Sequence, residues 1–353
     1  MADSLKRIRA RIDALDDQLL KVISQRAGLA QAVARIKGGT HAYRPEREAQ
    51  ILRRLTAANR GPLPGAAVAR VYAEVVSACR AMEAEFHVAF LGPRGTYSEE
   101  AVGKHFGGMV QATPYASFDE VFRAVESAEC GYGVVPVENS TEGTVGRTLD
   151  LLLATPLRIC GEVLLPVHQC LMNKSGNRAR ITRIYSHSQS LAQCHEWLNR
   201  HYPQAERVPV VSNAEAARLA SKEARAAAIA GRAAARVYGL KVLARNIEDE
   251  PNNTTRFLVI GTHGAGSSGR DKTSLVMSTR NVPGAVHGLL TPLAKNGVSM
   301  TKLESRPSRT RMWEYLFYVD LVGHLEEPRV KRALAALERK AAMLKVLGSY
   351  PAA

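Results

Sequence analysis

The 353-residue chain is 46% apolar and 23% charged, which excludes a disordered or fibrous protein and leaves room for two or three cores. Its formal net charge is +15, and the excess sits at both ends: 15 basic against 9 acidic residues over 1–85, and 14 against 7 over 266–353. There is no basic block and no basic–aromatic interleaving, so small anionic substrates account for the charge and no nucleic-acid interface is expected.

Residues 4–37 read as one long helix. Leu5, Ile8, Ile12, Leu15, Leu19, Val22, Arg26, Leu29, Val33 and Ile36 step by three and four in a sustained heptad seam, and Gly38-Gly39-Thr40 ends it. A second helix begins at Pro45, a residue suited to a first turn, and runs to about Asn59. After Gly61-Pro62-Leu63-Pro64-Gly65 a third runs from about Ala66 to Glu85. At ~1.5 Å per residue the first helix spans ~50 Å, more than two short helices cover. A second copy of the chain is therefore expected along the seam, in a homodimer or a higher assembly.

From Phe86 the period shortens. Strands are expected at His87–Leu91, Tyr132–Val135, near Ile181–Ser186, and at Val208–Val211, Ala226–Ile229 and Arg256–Ile260, with helices between them. That pattern predicts an α/β domain with a largely parallel sheet. Thr262 to Asp271 reads as a flexible Gly/Ser linker. Beyond it, strands at Lys272–Thr279, Val298–Ser305, Met312–Leu321 and Met343–Ser349 and helices at Gly284–Asn296 and Glu326–Arg339 give βαββαβ, an α+β ferredoxin-like module. No apolar run approaches the ~18 residues of a membrane span, and no signal-peptide core follows Met1. The five cysteines lack C-x-x-C spacing, so the expectation is a cytoplasmic protein with reduced thiols and no metal site.

Arg26 occupies a seam position that should be apolar, and a buried guanidinium needs an anionic partner. Lys37 follows eleven residues later, within ~20° of the same azimuth, and Arg9 stands about a quarter turn away near the other end. The second helix adds Arg47 and Glu48, and the third ends with Cys79 and Glu83. Interhelical ion pairs explain any one of these residues; several cations on one seam suggest an anion site.

Residues 1–85 resemble the all-helical chorismate mutase domain, an intertwined dimer in which each site borrows an arginine from the partner chain. The resemblance implies Arg9 as the borrowed arginine, Arg26, Lys37 and Glu83 as catalytic groups, and Arg47, Glu48 and Cys79 as substrate contacts. It implies a unimolecular Claisen rearrangement with no metal or cofactor, driven by confinement and by stabilisation of the departing ether oxygen. Arg44 aligns loosely with an aspartate of some members. Glu83 stands where some carry glutamine, and must be protonated to donate to that oxygen.

In the middle domain three loops fall at strand ends, where open α/β sheets place their ligands. Gly92-Pro93-Arg94-Gly95-Thr96-Tyr97-Ser98 follows a strand and opens a helix, a suitable anion cradle without the G-K-[ST] of a nucleotide loop. Val135-Pro136-Val137-Glu138-Asn139-Ser140 is expected just after a strand; Tyr185-Ser186-His187 leads to Gln193, and Thr255-Arg256-Phe257 opens another strand. Turn chemistry and helix capping could explain each alone. Together, over about 180 residues, these G-P-x-G-T-x-S, V-P-x-E-N-S, Y-S-H and T-R-F signatures resemble prephenate dehydratase. The resemblance implies two α/β lobes like those of periplasmic binding proteins, with the site in the cleft. Thr255 is then the hydroxyl assisting departure of the ring hydroxyl, and Arg256 holds a carboxylate. Thr96, Glu138, Asn139, Ser140, Ser186 and Gln193 position substrate. His187 and Cys194 are taken as structural neighbours.

Asn281-Val282-Pro283-Gly284-Ala285-Val286 and Leu303-Glu304-Ser305-Arg306-Pro307 resemble the two motifs of the ACT domain of phenylalanine-inhibited dehydratases. This implies phenylalanine contacts from Pro283, Gly284, Ala285 and Val286 and from Glu304, Ser305, Arg306 and Pro307. Domains at 1–85, 86–262 and 272–353 are thus expected to act on chorismate, act on prephenate and sense phenylalanine. The alternatives are a catalytically silent amino-acid-sensing dimer, and a dehydratase whose mutase half is inactive.

Overall fold

The computed structural model describes residues 2–36, 43–83, 85–279, 282–308 and 315–353. They form two contact bodies, Met1–Phe86 with Phe106–Gln111, and His87–His105 with Ala112–Ala353.

The first body is helical, as the spacing predicts: α1 (Ala2–Ile36), α2 (Pro45–Ala58) and α3 (Gly65–Ala81). Lys37 and the break at 38–40 lie outside the described residues. Pro45 sits in the first turn of α2 beside Glu46 and Glu48, whose charges suit the positive end of a helix. α3 packs against both other helices. The α1 seam stays open to solvent, with Leu15, Leu19 and Leu29 at 61%, 57% and 70% exposure.

α3 ends at Ala81, four residues short of the expectation, so Glu83 lies in a turn beyond it. The cause is Phe86, which is buried in a box with Tyr43 and Phe106, ring centroids 5.0–6.0 Å apart. The Arg80 guanidinium fills that box, 4.8 Å from the Phe86 centroid. Seating Phe86 there requires the chain to leave the helix first.

The second body holds three sheets. The first lobe runs β1 (His87–Leu91), α4 (Tyr97–Phe106), β2 (Gln111–Tyr115), α5 (Phe118–Glu126), β3 (Tyr132–Asn139), β4 (Gly143–Thr144), α6 (Gly146–Ala154) and β5 (Arg158–Pro166). The chain then crosses to a second lobe of β6 (Cys170–Asn173), β7 (Arg183–His187), α7 (Ser188–Gln193), α8 (His195–His201), β8 (Glu206–Val210), α9 (Asn213–Ala220), β9 (Ala226–Ala230), α10 (Arg232–Val237) and β10 (Lys241–Arg245). It returns as β11 (Thr254–Gly261), which enters the first sheet between β3 and β5, antiparallel to both.

The expected largely parallel sheet is therefore corrected to two mixed sheets, β2-β1-β3-β11-β5 and β10-β6-β9-β7-β8. Within the second, β9, β7 and β8 run parallel while β10 and β6 run antiparallel to their neighbours. The double crossover between lobes reverses the chain and so the strand direction. All five residues of β9, Ala226-Ala227-Ala228-Ile229-Ala230, are buried, and Ala226, Ala228 and Ala230 share an alanine-rich core that brings α9 and α10 close to the sheet.

The C-terminal part is βαββαβ: β12 (Asp271–Ser278), α11 (Ala285–Lys295), β13 (Met300–Pro307), β14 (Tyr315–Val322), α12 (Pro328–Glu338) and β15 (Met343–Pro351), in the antiparallel order β13-β14-β12-β15. Leu275, Val319 and Leu321 pack under its helices. Val276, Tyr318 and Tyr350, on the other face, join the core of the first lobe.

The stretch before β12 is not a loose linker. Asp271 is buried and accepts from the amides of Ser268 and Gly269 and from the Ser268 hydroxyl at 2.6 Å, which fixes the turn. β15 also runs so close to β5 that a Cβ on Gly348 would lie 2.1 Å from the Ile159 carbonyl oxygen.

Candidate functional site

The two lobes of the second body enclose a cavity of about 300 Å³. Their crossovers are bonded to each other, Val167 N to Asn253 O at 2.8 Å and Ile247 N to Gln169 O at 3.1 Å, so the hinge is a short two-strand ribbon. On the first-lobe side the Gly92–Ser98 loop enters the cleft. Gly95 has φ +85°, and a Cβ there would lie 3.1 Å from Ala234 of the opposite lobe. Only glycine permits both.

The β3–β11 ladder builds the cleft wall. Thr255 pairs with Asn139, and the register slips between Arg256 and Phe257, leaving Val137 as an extra residue. Pro136 and Asn139, three apart in sequence, thus share the cleft face with Thr255 and Phe257. Asn139 Oδ1 accepts from the amides of Thr141 and Glu142, each at 3.0 Å. That leaves its Nδ2 to donate to Thr255 Oγ1 at 2.8 Å and to Asn253 Oδ1 at 2.7 Å. With its oxygen already accepting, the Thr255 hydroxyl is free to direct its own proton into the cleft.

The opposite wall is a ladder of neutral groups. Gln169 Nε2 reaches Ser190 Oγ at 3.1 Å, Asn213 Nδ2 reaches the same oxygen at 2.9 Å, and Asn253 Nδ2 donates to Gln193 Oε1 at 3.3 Å. Tyr97 donates toward the His168 carbonyl and Gln169 Oε1 at 2.9 and 3.0 Å; burial pushes its phenol well above the ordinary value, so it remains a donor. Among the described residues, the cavity lining includes no Lys, Arg, Asp or Glu.

Of the expected cleft residues, Thr96, Asn139, Gln193 and Thr255 line the cavity. Ser186 is fully buried behind the wall and bonds Asn213 Oδ1 at 3.0 Å, so it orients a lining residue. Ser140 ties its loop to 252–254 through Asn252 O and Thr254 N. Glu138 and Arg256 do not face the cleft. Both Glu138 and Asn139 lie inside β3 rather than after it, and Arg256 lies inside β11, so the pleat sends each to the opposite face from its neighbour. The expectation that Arg256 holds a cleft carboxylate is therefore corrected: its guanidinium bonds Glu162, Asp320 and Tyr350. His187, taken as a structural neighbour, lines the cavity, whereas Cys194 is buried. The sequence reading gave no role to Tyr97, Gln169, Ser190, Asn213 and Asn253, whose convergence only the two-lobe fold creates.

In the helical body, Glu48 lies close enough to Arg26 and to Glu83 to feel the charge of each. Burial raises the Glu48 carboxyl above its ordinary value; Arg80 and then Arg26 pull it down, and Glu83 adds to the rise. Arg80, not anticipated, bonds Glu48 Oε1 at 2.5 Å and the Phe106 carbonyl. Cys79 is buried, while Arg9 and Arg47 are exposed in this single chain. Lys37 lies outside the described residues.

The two C-terminal motifs behave differently. Pro283, Gly284 and Val286 are exposed at the start of α11, and Ala285 is half-buried; Asn281 lies outside the described residues. On β13, Ser305 and Pro307 are exposed, whereas the alternate residue Arg306 bonds the Gly146 carbonyl and Asp150 of the first lobe. Among the described residues no cluster of His, Cys, Asp or Glu is placed to hold a metal, and no helix is long and apolar enough to cross a membrane.

Residues 8–84 match the family of chorismate mutase type II, 88–265 that of prephenate dehydratase, and 273–339 the ACT domain. The chain is 50% identical over 348 residues to the bifunctional chorismate mutase/prephenate dehydratase of Neisseria gonorrhoeae, covering 98% of this chain and 96% of that protein. It belongs to the bifunctional chorismate mutase/prephenate dehydratase family. The Pseudomonas aeruginosa protein of that name is also 50% identical, over 99% of this chain and 98% of its own length. The crystal structure of prephenate dehydratase in complex with L-Phe from Arthrobacter aurescens aligns with TM-score 0.70 and 34% identity, over 75% of this chain and 90% of that one. The helical body is thus the mutase domain, the two lobes the dehydratase domain, and the βαββαβ part the ACT domain.

Proposed function

We propose that this chain rearranges chorismate to prephenate in its helical domain and converts prephenate to phenylpyruvate in the cleft, under inhibition by phenylalanine bound to the ACT domain. The observation that carries the reading is the Asn139–Thr255 hydrogen bond, in which the threonine oxygen accepts and its proton is left available to substrate. Prephenate must lose a ring hydroxyl and a carboxylate together. Thr255 donates to the departing oxygen while the C–CO₂ bond breaks into the ring; one proton is taken up, and water and carbon dioxide leave. A threonine is too weak an acid to finish alone, so it acts as a positioned donor and relay. The neutral, partly apolar lining suits the second half of the reaction, because it gives no ion pair to the carboxylate whose charge is lost. The remaining carboxylate has amides, hydroxyls and side-chain amides to bind.

In the mutase domain Arg26, Glu48 and Glu83 form the site core, with Arg47 and Cys79 as substrate contacts; Lys37, expected to join them, lies outside the described residues. A second copy covers the open α1 seam and contributes Arg9. Burial of that apolar stripe, at about 25 cal/mol per Å², supports a homodimer. The phenylalanine site combines the exposed start of α11 with the exposed Ser305 and Pro307. The buried free thiols suit a cytoplasmic setting.

Feeding chorismate to the purified protein and following prephenate and phenylpyruvate, with and without phenylalanine, tests all three assignments. Successive appearance of both products, the second suppressed by phenylalanine, is expected. Accumulation of prephenate would reject the cleft assignment, and untouched chorismate alongside consumption of added prephenate would reject the mutase assignment.

A further inference from the structure

β11 serves two places at once. Thr255 and Phe257 face the cleft, and Arg256 between them faces the ACT sheet. Its guanidinium bonds Glu162 of β5 at 2.8 Å, Asp320 of β14, and the Tyr350 phenol of β15 at 2.9 Å. Glu162 is further held by Lys272 at 2.8 and 3.1 Å, and Asp320 by Ser274 at 2.5 Å. Glu162, Asp320 and Tyr350 are all buried.

β3 repeats the arrangement. Asn139 is the register partner of Thr255, and Glu138 that of Arg256. Glu138 bonds Lys302 Nζ of β13 at 2.8 Å. Both chain neighbours of the Asn139–Thr255 pair are therefore tied by charge to the ACT domain. β13 itself is two-sided, with Lys302 and Arg306 on the dehydratase lobe and Ser305 and Pro307 exposed.

We propose that Arg256 and Glu138 are positioning residues that set the placement of Thr255 and Asn139 from the far face of the sheet, with Asp320, Tyr350 and Lys302 of the ACT domain as their anchors. The inference rests on the dehydratase reading above. A side chain and its neighbour share a peptide plane, so a shift of Arg256 or Glu138 moves the adjacent cleft residue with it. The buried charge pairs of Arg256 are made or broken rather than stretched, which gives that linkage two states. Misplacing a reacting group by ~1 Å can cost about 100-fold in rate. A ligand gripping the exposed face of β13 acts on the strand that carries Lys302.

The test uses the full-length protein with Arg256→Lys, Asp320→Asn and Lys302→Gln, measuring kcat and KM for prephenate and the phenylalanine concentration for half inhibition. Arg256→Lys and Asp320→Asn are expected to lower kcat about tenfold or more while KM stays within about threefold. Lys302→Gln, which removes the cation holding Glu138, is expected to lower kcat about threefold or more with KM within about threefold, and to raise the half-inhibiting phenylalanine concentration about fivefold or more. A raised KM at unchanged kcat in Arg256→Lys would make Arg256 a substrate ligand and overturn the proposal. Unchanged kcat in Arg256→Lys and Asp320→Asn together with unchanged inhibition in Lys302→Gln would also overturn it, leaving the dehydratase reading standing. An unmodified protein that leaves prephenate untouched would remove that reading, and this inference with it.

Discussion

Asn139 holds Thr255 across 2.8 Å with the one end of its amide that the Thr141 and Glu142 amides leave available. Thr255→Ala should abolish prephenate turnover while leaving chorismate turnover on the same protein nearly intact, and Thr255→Ser should keep part of the rate. Asn139→Asp preserves the two backbone contacts but replaces the donor with an acceptor that draws the threonine proton away from substrate. Its kcat should fall about 100-fold, with stability changed by no more than about 1 kcal/mol. Equal loss of both activities in folded Thr255→Ala would contradict the separation of sites.

Glu83 can donate to a departing ether oxygen only while protonated. Mutase turnover should therefore fall as rising pH ionises it, and Glu83→Gln should flatten the profile. The check is kcat for chorismate from acid to mildly alkaline pH in both proteins; a flat profile in the unmodified one would remove the role assigned to Glu83.

The raised Glu48 carboxyl makes a prediction about stability with a definite sign. Its folded-state affinity for a proton exceeds that of the unfolded chain, so the folded state binds more protons in the interval between the two values. This contribution is full below the unfolded value and is lost as pH rises through the folded one. Glu48→Gln should flatten that part of the stability curve. Arg80→Met removes the cation that pulls Glu48 down, widening the interval and costing about 3 kcal/mol at neutral pH. Urea unfolding at several pH values separates the two.

Gly348 admits the Ile159 carbonyl where any Cβ would collide. Gly348→Ala must push β15 off β5 and should destabilise the protein by about 1–3 kcal/mol. Thermal unfolding that matches the unmodified protein would show that the two strands have slack.

The helices, the order of the C-terminal elements and the loops around the cleft were legible because each has a local signal: heptad spacing, turn residues, a strand meeting a helix. Strand direction and facing were not, because they depend on which strands pair. Arg256 shows this plainly. Starting its strand two residues earlier, at Thr254, would have placed Thr255 and Arg256 on opposite faces by alternation alone. Arg80 reads locally as a cation complementing the end of α3, while its ring partners lie at positions 43, 86 and 106. The Ser268–Asp271 turn has linker composition, and only the buried carboxylate reveals it as fixed.

The slip beside Val137 divides a single six-residue stretch between two tasks. Pro136 and Asn139 line the cleft, and Glu138 between them bonds Lys302 of the ACT domain. Because 138 and 139, like 255 and 256, share a peptide plane, a change made at 138 or 256 is also felt at the cleft. Chemistry and control can thus drift only together, because the residues that carry them are adjacent in the chain.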